Sequence, residues 1–360
     1  MKKIKLNEIG EIVSGSTPKT NIKEYWNGKH LWITPAEINE DDYYITNTER
    51  KITDLAIEKT NLRLLPKGTV LLSSRAPIGK VAICKEKMYC NQGFKNIICS
   101  EKIENRYLYY FLKSKKDYLN SLGRGATFKE ISKNIVENIE IPYVSIEEQI
   151  NISNKLDKIC EVIKLRKKQL NQFEEIVKSQ FVEMFERGQY PKDEFINIAK
   201  EIYAGGDKPK DISKVQDDEY LYPVFANGYE NEGLQGYSKS YRTGDNAVTI
   251  SARGTIGYSF IRNEKFTPIV RLITIIPNEK ANIVYLKYAI DNLNIAGSGT
   301  SQAQLTVPDI KKKKITIPPI ELQNKFADIV KQIDKQKFEI EKSLKETEEL
   351  YEALMEEYFG

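Results

Sequence analysis

The chain has 360 residues, 29% charged and 40% hydrophobic, with a formal net charge of +4; that length supplies cores for two or three domains, and no apolar run nears the roughly 18 residues of a membrane span. Met1-Lys2-Lys3-Ile4-Lys5 lacks the apolar stretch of a secretion signal. Cys84, Cys90, Cys99 and Cys160 show no CxxC spacing and His30 is the single histidine, so reduced thiols, no metal cluster and a cytoplasmic location are expected.

In chain order, Lys19 lies near the turn at Gly15, and His30 reads as a loop residue before Leu31 and Trp32. Val70 to Ser74 and Val81 to Ile83 read as strands around a turn at Ala76-Pro77-Ile78-Gly79. Lys95 to Cys99 is a further strand, Tyr107 to Lys113 a short helix, and Gly123 to Lys129 a Gly-rich loop. Ile139-Glu140-Ile141-Pro142 then leads to Ser145 and Glu148, spaced as a capping box. From there Ile152, Leu156, Ile159, Ile163, Arg166, Leu170, Phe173, Val177, Gln180 and Met184 alternate four and three residues apart, the seam of a coiled coil.

The second half repeats this order. Lys208 and Lys210 sit by a Gly-rich turn, and Val248 to Ser251 and Tyr258 to Ile261 flank Gly254-Thr255-Ile256-Gly257. Leu272 to Ile276 is a strand, Tyr285 to Asn292 a helix, and Gly297 to Gln302 a small-residue loop. Pro308-Asp309 reads as a polar loop before a strand. Ile315-Thr316-Ile317-Pro318 precedes a second seam: Phe326, Val330, Ile333, Lys337, Ile340, Leu344, Thr347, Tyr351, Leu354, Tyr358. Where one seam is polar the other offers an apolar residue, so the two helices are the natural partners for each other. Packing on a lobe or on another chain is the alternative.

The repeat is visible residue by residue. Fifteen identities fall in the 41 positions of 70–110 against 248–288, among them Ser73, Arg75, Ile78, Gly79, Tyr107 and Tyr110 with Ser251, Arg253, Ile256, Gly257, Tyr285 and Tyr288. Glu11-Ile12 and Gly15 match Glu201-Ile202 and Gly205, Pro18-Lys19 matches Pro209-Lys210, and the two Ile-x-Ile-Pro segments match each other. The segments are 1–145, a first lobe; 146–188, a first spacer helix; 189–319, a second lobe; and 320–360, a second spacer helix. Their Lys+Arg against Asp+Glu counts are 24 to 17, 8 to 8, 17 to 15 and 6 to 11. Positive charge therefore gathers on the lobes, where a polyanion would meet it; an ordinary solvated surface is the blander reading of the second.

The chain contains no P-loop, GxGxxG, HExxH or GxSxG motif, and no Asn-Pro-Pro-Tyr or Asp-Pro-Pro-Tyr. No general base can be nominated, and no catalysis is expected of this chain. Binding features stand out more. Arg75 and Arg253 occupy the same place on the repeated turn, where an arginine can fork onto a guanine edge, hold a phosphate, or tie the turn to a carboxylate. Lys80 and Tyr258 follow them. Arg124, Thr127 and Lys129, and Gln302 and Gln304, lie on loops whose small residues admit close approach to DNA or simply flex. Lys19, Lys208 and Lys210 suit phosphates.

With the repeated Ser-x-Arg-x-x-Ile-Gly turn (73–79 and 251–257), the Gly-rich loops, and Ile-Pro followed by Gln149 and Gln323 at the start of each long helix, the whole chain resembles the specificity subunit of type I restriction–modification systems. The resemblance implies an α+β fold: two similar α/β target-recognition lobes separated by two long helices in an antiparallel coiled coil, with a pseudo-two-fold internal repeat. It implies double-stranded DNA as ligand, with one half of a bipartite, asymmetric target read by each lobe. Two modification subunits, carrying S-adenosylmethionine and methylating adenine, and restriction subunits with helicase and nuclease activity are the implied partners; no cofactor is expected in this chain. A helix of 40 residues would run about 60 Å, a length able to set the gap between half-sites. Self-association of the isolated chain stays open. A non-catalytic protein-interaction scaffold without a sequence-specific DNA role is the rival reading, and a stand-alone methyltransferase a weaker one.

Overall fold

The computed structural model describes residues 2–75, 77–125, 129–254, 256–293, 295 and 304–360. It divides into two compact units, Met1–Arg166 with Ser343–Gly360, and Lys167–Lys342. Each unit is a mixed α+β lobe closed by parts of both long helices, Ile146–Phe181 and Ile320–Phe359.

In the first unit, strand Lys3–Lys5 runs antiparallel to Glu140–Pro142 and ties the start of the lobe to the segment that enters the helix. The main sheet has the order Gly10–Ser14, Lys95–Cys99, Val70–Leu72, Val81–Cys84, Tyr44–Ile45. A second sheet joins Arg50–Ile52, Trp26–Ile33 and Tyr89–Cys90. His30 lies within one of these strands rather than in a loop, its Nε2 2.6 Å from Asp54 Oδ1. Side chains alternate along a strand, so a polar residue such as His30, between Lys29 and Leu31, does not by itself mark a loop.

Helix Asn105–Ser114 buries Tyr107 through Leu112 without a break, because the sheet covers one side and the long helices the other. The core runs from Val70, Leu72, Ile83 and Ile97 of the sheet, through Tyr107, Leu108 and Phe111, to Ile152, Leu156, Met355 and Phe359.

The second unit repeats the plan. Lys192–Glu194 pairs with Lys314–Thr316. The main sheet is Ala199–Ala204, Ile273–Pro277, Ala247–Ile250, Ser259–Arg262, and the second is Leu234–Ser238, Tyr222–Phe225, Thr267–Pro268. Among the described residues no strand corresponds to Tyr44–Ile45. Helix Ile283–Asn292 stands where Asn105–Ser114 does, with the Phe185 ring 4.8 Å from that of Tyr285.

Hydrogen bonds fix the correspondence between copies. Leu6 N–H donates to Ile139 O (3.0 Å) as Phe195 N–H does to Lys313 O (3.1 Å). The Tyr107 hydroxyl donates to Pro142 O, and that of Tyr285 to Thr316 O. Glu140–Pro142 therefore answers to Lys314–Thr316, two residues earlier than the Ile-x-Ile-Pro identity suggests. The reason is the two-residue period of a strand: a slip of two still turns an isoleucine inward, here Ile141 and Ile315, both buried. Pro308-Asp309 is also not a loop. Thr306 and Asp309 form a capping box at the start of helix Val307–Lys312, where proline is tolerated because the first N–H groups of a helix lack partners anyway.

In both units the long helices pack with opposite chain directions. In the first, Ile152 and Leu156 share a core with Met355 and Phe359, and Cys160 lies beside Tyr351. In the second, Phe181 faces Phe326 (5.6 Å between rings) while Glu174 meets Lys337 (3.7 Å). Residue numbers rise along one helix as they fall along the other. Ile152, Leu156, Val177, Phe326, Val330, Ile333 and Ile340 are buried, and Ile159, Ile163, Leu170, Phe173, Leu344 and Leu354 half-buried.

Candidate nucleic-acid interface

The repeated turn has one backbone design. Ser73 N–H donates to Lys80 O and Gly79 N–H to Ser73 O (2.9 and 3.0 Å); Ser251 and Gly257 do the same with Tyr258 O and Ser251 O (both 2.9 Å). Gly79 and Gly257 take φ of +89° and +95°, the left-handed region that favours glycine. The turn then leans on a returning segment: Ile131 N–H donates to Ser74 O (3.0 Å) and Leu305 N–H to Ala252 O (2.9 Å).

That return places Glu130 beside Arg75 and Gln304 beside Arg253. Arg75 Nη1 is 4.0 Å from the Glu130 carboxylate, which Lys95 holds more closely at 3.0 Å from a nearly buried position. Arg253 Nη2 donates to Gln304 Oε1 at 2.8 Å. In the first lobe Arg124 and Glu130 also exchange backbone hydrogen bonds, so Arg75, Lys95, Arg124 and Glu130 form one cluster. Lys80 donates to Pro35 O (3.1 Å), while Lys129 is exposed. Lys19, Lys208 and Lys210 are exposed too. Thr127 and Gln302 lie outside the described residues.

In the second lobe three loops are stitched by one side chain. Asn227 Oδ1 accepts from Ala252 N–H and its Nδ2 donates to Val270 O, both at 2.7 Å. Sequence patterns did not single out Asn227, Lys95 or Glu130. Lys95 sits in an apolar strand, and an asparagine between two turns looks like any loop residue.

Arginine and lysine side chains on loops, held by backbone bonds to the ends of sheet strands, suit contacts to phosphates and base edges. The family described as "Type I restriction modification DNA specificity domain" matches residues 1–175 and 198–350. The chain belongs to the family of type I restriction–modification specificity subunits. The type I restriction enzyme MjaIX specificity subunit of Methanocaldococcus jannaschii is 32% identical, over 98% of this chain and 90% of that protein. A putative type I specificity subunit of Mycoplasma pneumoniae, S.MpnORF507P, is 29% identical over 63% of this chain and 64% of its own. The crystal structure of the type I S subunit from M. genitalium superposes with a TM-score of 0.64 at 16% identity, over 100% of this chain and 96% of that one. Among the described residues, no helix of this specificity subunit is long and apolar enough to cross a membrane.

Proposed function

We propose that this specificity subunit recognises a bipartite, asymmetric DNA target, one half-site per lobe, without catalysing any step itself. The observation that carries the reading is the pair of like turns with unlike partners. Arg75 is presented beside a carboxylate and a buried lysine, Arg253 beside an amide. A glutamine suits adenine edges and an arginine guanine edges, so matched scaffolds with different tips read different bases. The long helices set the gap between half-sites. They also dock the modification subunits, which bring S-adenosylmethionine, and through them the restriction subunits. Exposed apolar side chains off the seam, Val162, Leu165 and Ile176 on the first helix and Phe338 and Leu350 on the second, support that docking role.

The test is to assemble the chain with its modification subunits and map methylated sites. Exchanging residues 1–145 for another first lobe changes one half-site and leaves the other and the gap unchanged. Removing one heptad from each long helix alters or abolishes the gap preference. Both half-sites changing together, or methylation independent of sequence, refutes the modular reading.

A further inference from the structure

Beside the Arg253 turn the second lobe exposes two tyrosine rings against each other. The Tyr229 and Tyr258 centroids are 4.7 Å apart at 51°, and the residues are 60% and 45% exposed. Leaving that much aromatic surface in water forgoes stabilisation that burial would give.

The loop holding Tyr229 is built at a cost. Asn231 and Glu232 adopt φ of 46° and 53°, followed by Gly233 at 82°, and non-glycine residues in this region carry strain that the surroundings must offset. Arg262 supplies the anchor. It is 3% exposed, and its guanidinium donates to Glu232 Oε2 (2.8 Å) and Glu232 O (2.7 Å). The same group lies 3.6 Å over the Phe225 ring. Gly228 N–H donates to Ser251 Oγ (3.2 Å), and Asn227 bonds Ala252 N–H, so the loop is tied directly to the arginine turn.

In the first lobe the residue matching Tyr258 is Lys80, which bonds Pro35 O, and the serine matching Ser251 bonds within its own turn, donating to Pro77 O. Among the described residues, the aromatic pair beside the arginine turn therefore has no counterpart at the first lobe's turn.

We propose that Tyr229 and Tyr258 form the apolar contact for a thymine 5-methyl group in the half-site read by the second lobe. The proposal rests on the DNA-reading role proposed above. A tilted pair offers an apolar notch rather than a flat stacking platform, and the thymine 5-methyl is the only methyl group that the four standard bases present in the major groove. Arg253 and Gln304, on the neighbouring turn, bring the hydrogen-bonding groups that read the polar edges.

Deoxyuridine in place of thymidine removes that methyl and nothing else. Each thymine of the mapped target is replaced in turn, and binding is measured with the full chain assembled with its modification subunits. One position is expected to lose about fourfold in affinity, the worth of one buried methyl group at ~0.8 kcal/mol. Tyr229→Ala and Tyr258→Ala bind more weakly than wild type and lose sensitivity at that position only. The rings are exposed, so folding is retained, and unchanged circular dichroism verifies it. A target with no uracil-sensitive position, or sensitivity that survives in both variants, overturns the proposal. Absence of any sequence preference in the wild type instead overturns the DNA-reading role beneath it.

Discussion

Gln149 and Gln323 show how each lobe is pinned to the start of its long helix, and what removing the pin does. Both are fully buried. Gln149 Oε1 accepts from Glu104 N–H (2.9 Å), and its Nε2 donates to Lys102 O (3.1 Å) and Val144 O (3.0 Å). Gln323 repeats the set with Asn282 N–H (2.8 Å), Lys280 O (3.0 Å) and Pro318 O (2.8 Å). Gln149→Leu keeps the volume but strands one buried N–H and withdraws a donor from two carbonyls. At about 1–3 kcal/mol for a stranded buried group and somewhat less for each carbonyl, the loss is about 3–5 kcal/mol. For a unit of this size that is a fall of about 10 °C in Tm. Trp26 and Trp32 are the only tryptophans and both lie in the first unit, so tryptophan fluorescence in a urea series reads that unit, and far-UV circular dichroism reads both. Gln149→Leu lowers the fluorescence midpoint, and Gln323→Leu lowers the circular-dichroism midpoint by a similar free energy. Gln149→Glu adds a pH signature. A buried carboxyl facing two carbonyls is held neutral, its folded pKa above the unfolded value of about 4.3. The variant therefore keeps most of its stability below that value and loses it as pH rises. Losses under about 1 kcal/mol in both leucine variants, or a pH-independent Gln149→Glu, refute the pinning argument.

Asp157 accepts from the Tyr43 and Tyr110 hydroxyls (both 2.6 Å) and from Arg106 Nη1 (2.7 Å); Asp157→Ala removes all three and destabilises the first unit by about 2–4 kcal/mol, read by the same fluorescence series. Burial first, then the Asp157 hydrogen bond, pushes the Tyr110 phenol far up, and burial pushes the Cys90 and Cys99 thiols up to about 12. These raised values make a contribution that is full at neutral pH and lost as pH climbs past the unfolded values of about 8.5 for Cys and 10 for Tyr. Stability therefore falls on the alkaline side, and the buried Cys90 reacts with a disulfide reagent at pH 8 only as the chain unfolds. Arg262→Ala removes the anchor of the Tyr229 loop and costs about 2–4 kcal/mol, with weaker binding at the second lobe's half-site alone. Arg75→Ala and Arg253→Ala each relax one half-site, by about 1–3 kcal/mol of base discrimination, measured as methylation of single-mismatch targets.

The repeat, the two seams, the strands on either side of each turn and the family itself were legible in the residues, because each depends on local period or on like residues at like spacing. A seam needs only its four-and-three rhythm, and a left-handed turn position needs only its glycine. What tertiary structure alone decided was which side chains meet across long chain separations. Glu130 was assigned to Arg75 and Lys95, Gln304 to Arg253, Asn227 to two neighbouring loops, and Arg262 to the carbonyl of Glu232. Such contacts leave no period, since a polar residue on a loop looks the same whether it faces water or holds another loop in place. The two-residue slip at Ile315 has the same origin. Pattern fixes which face a strand turns inward, and only the hydrogen bonds to its neighbours fix where along that face it stands.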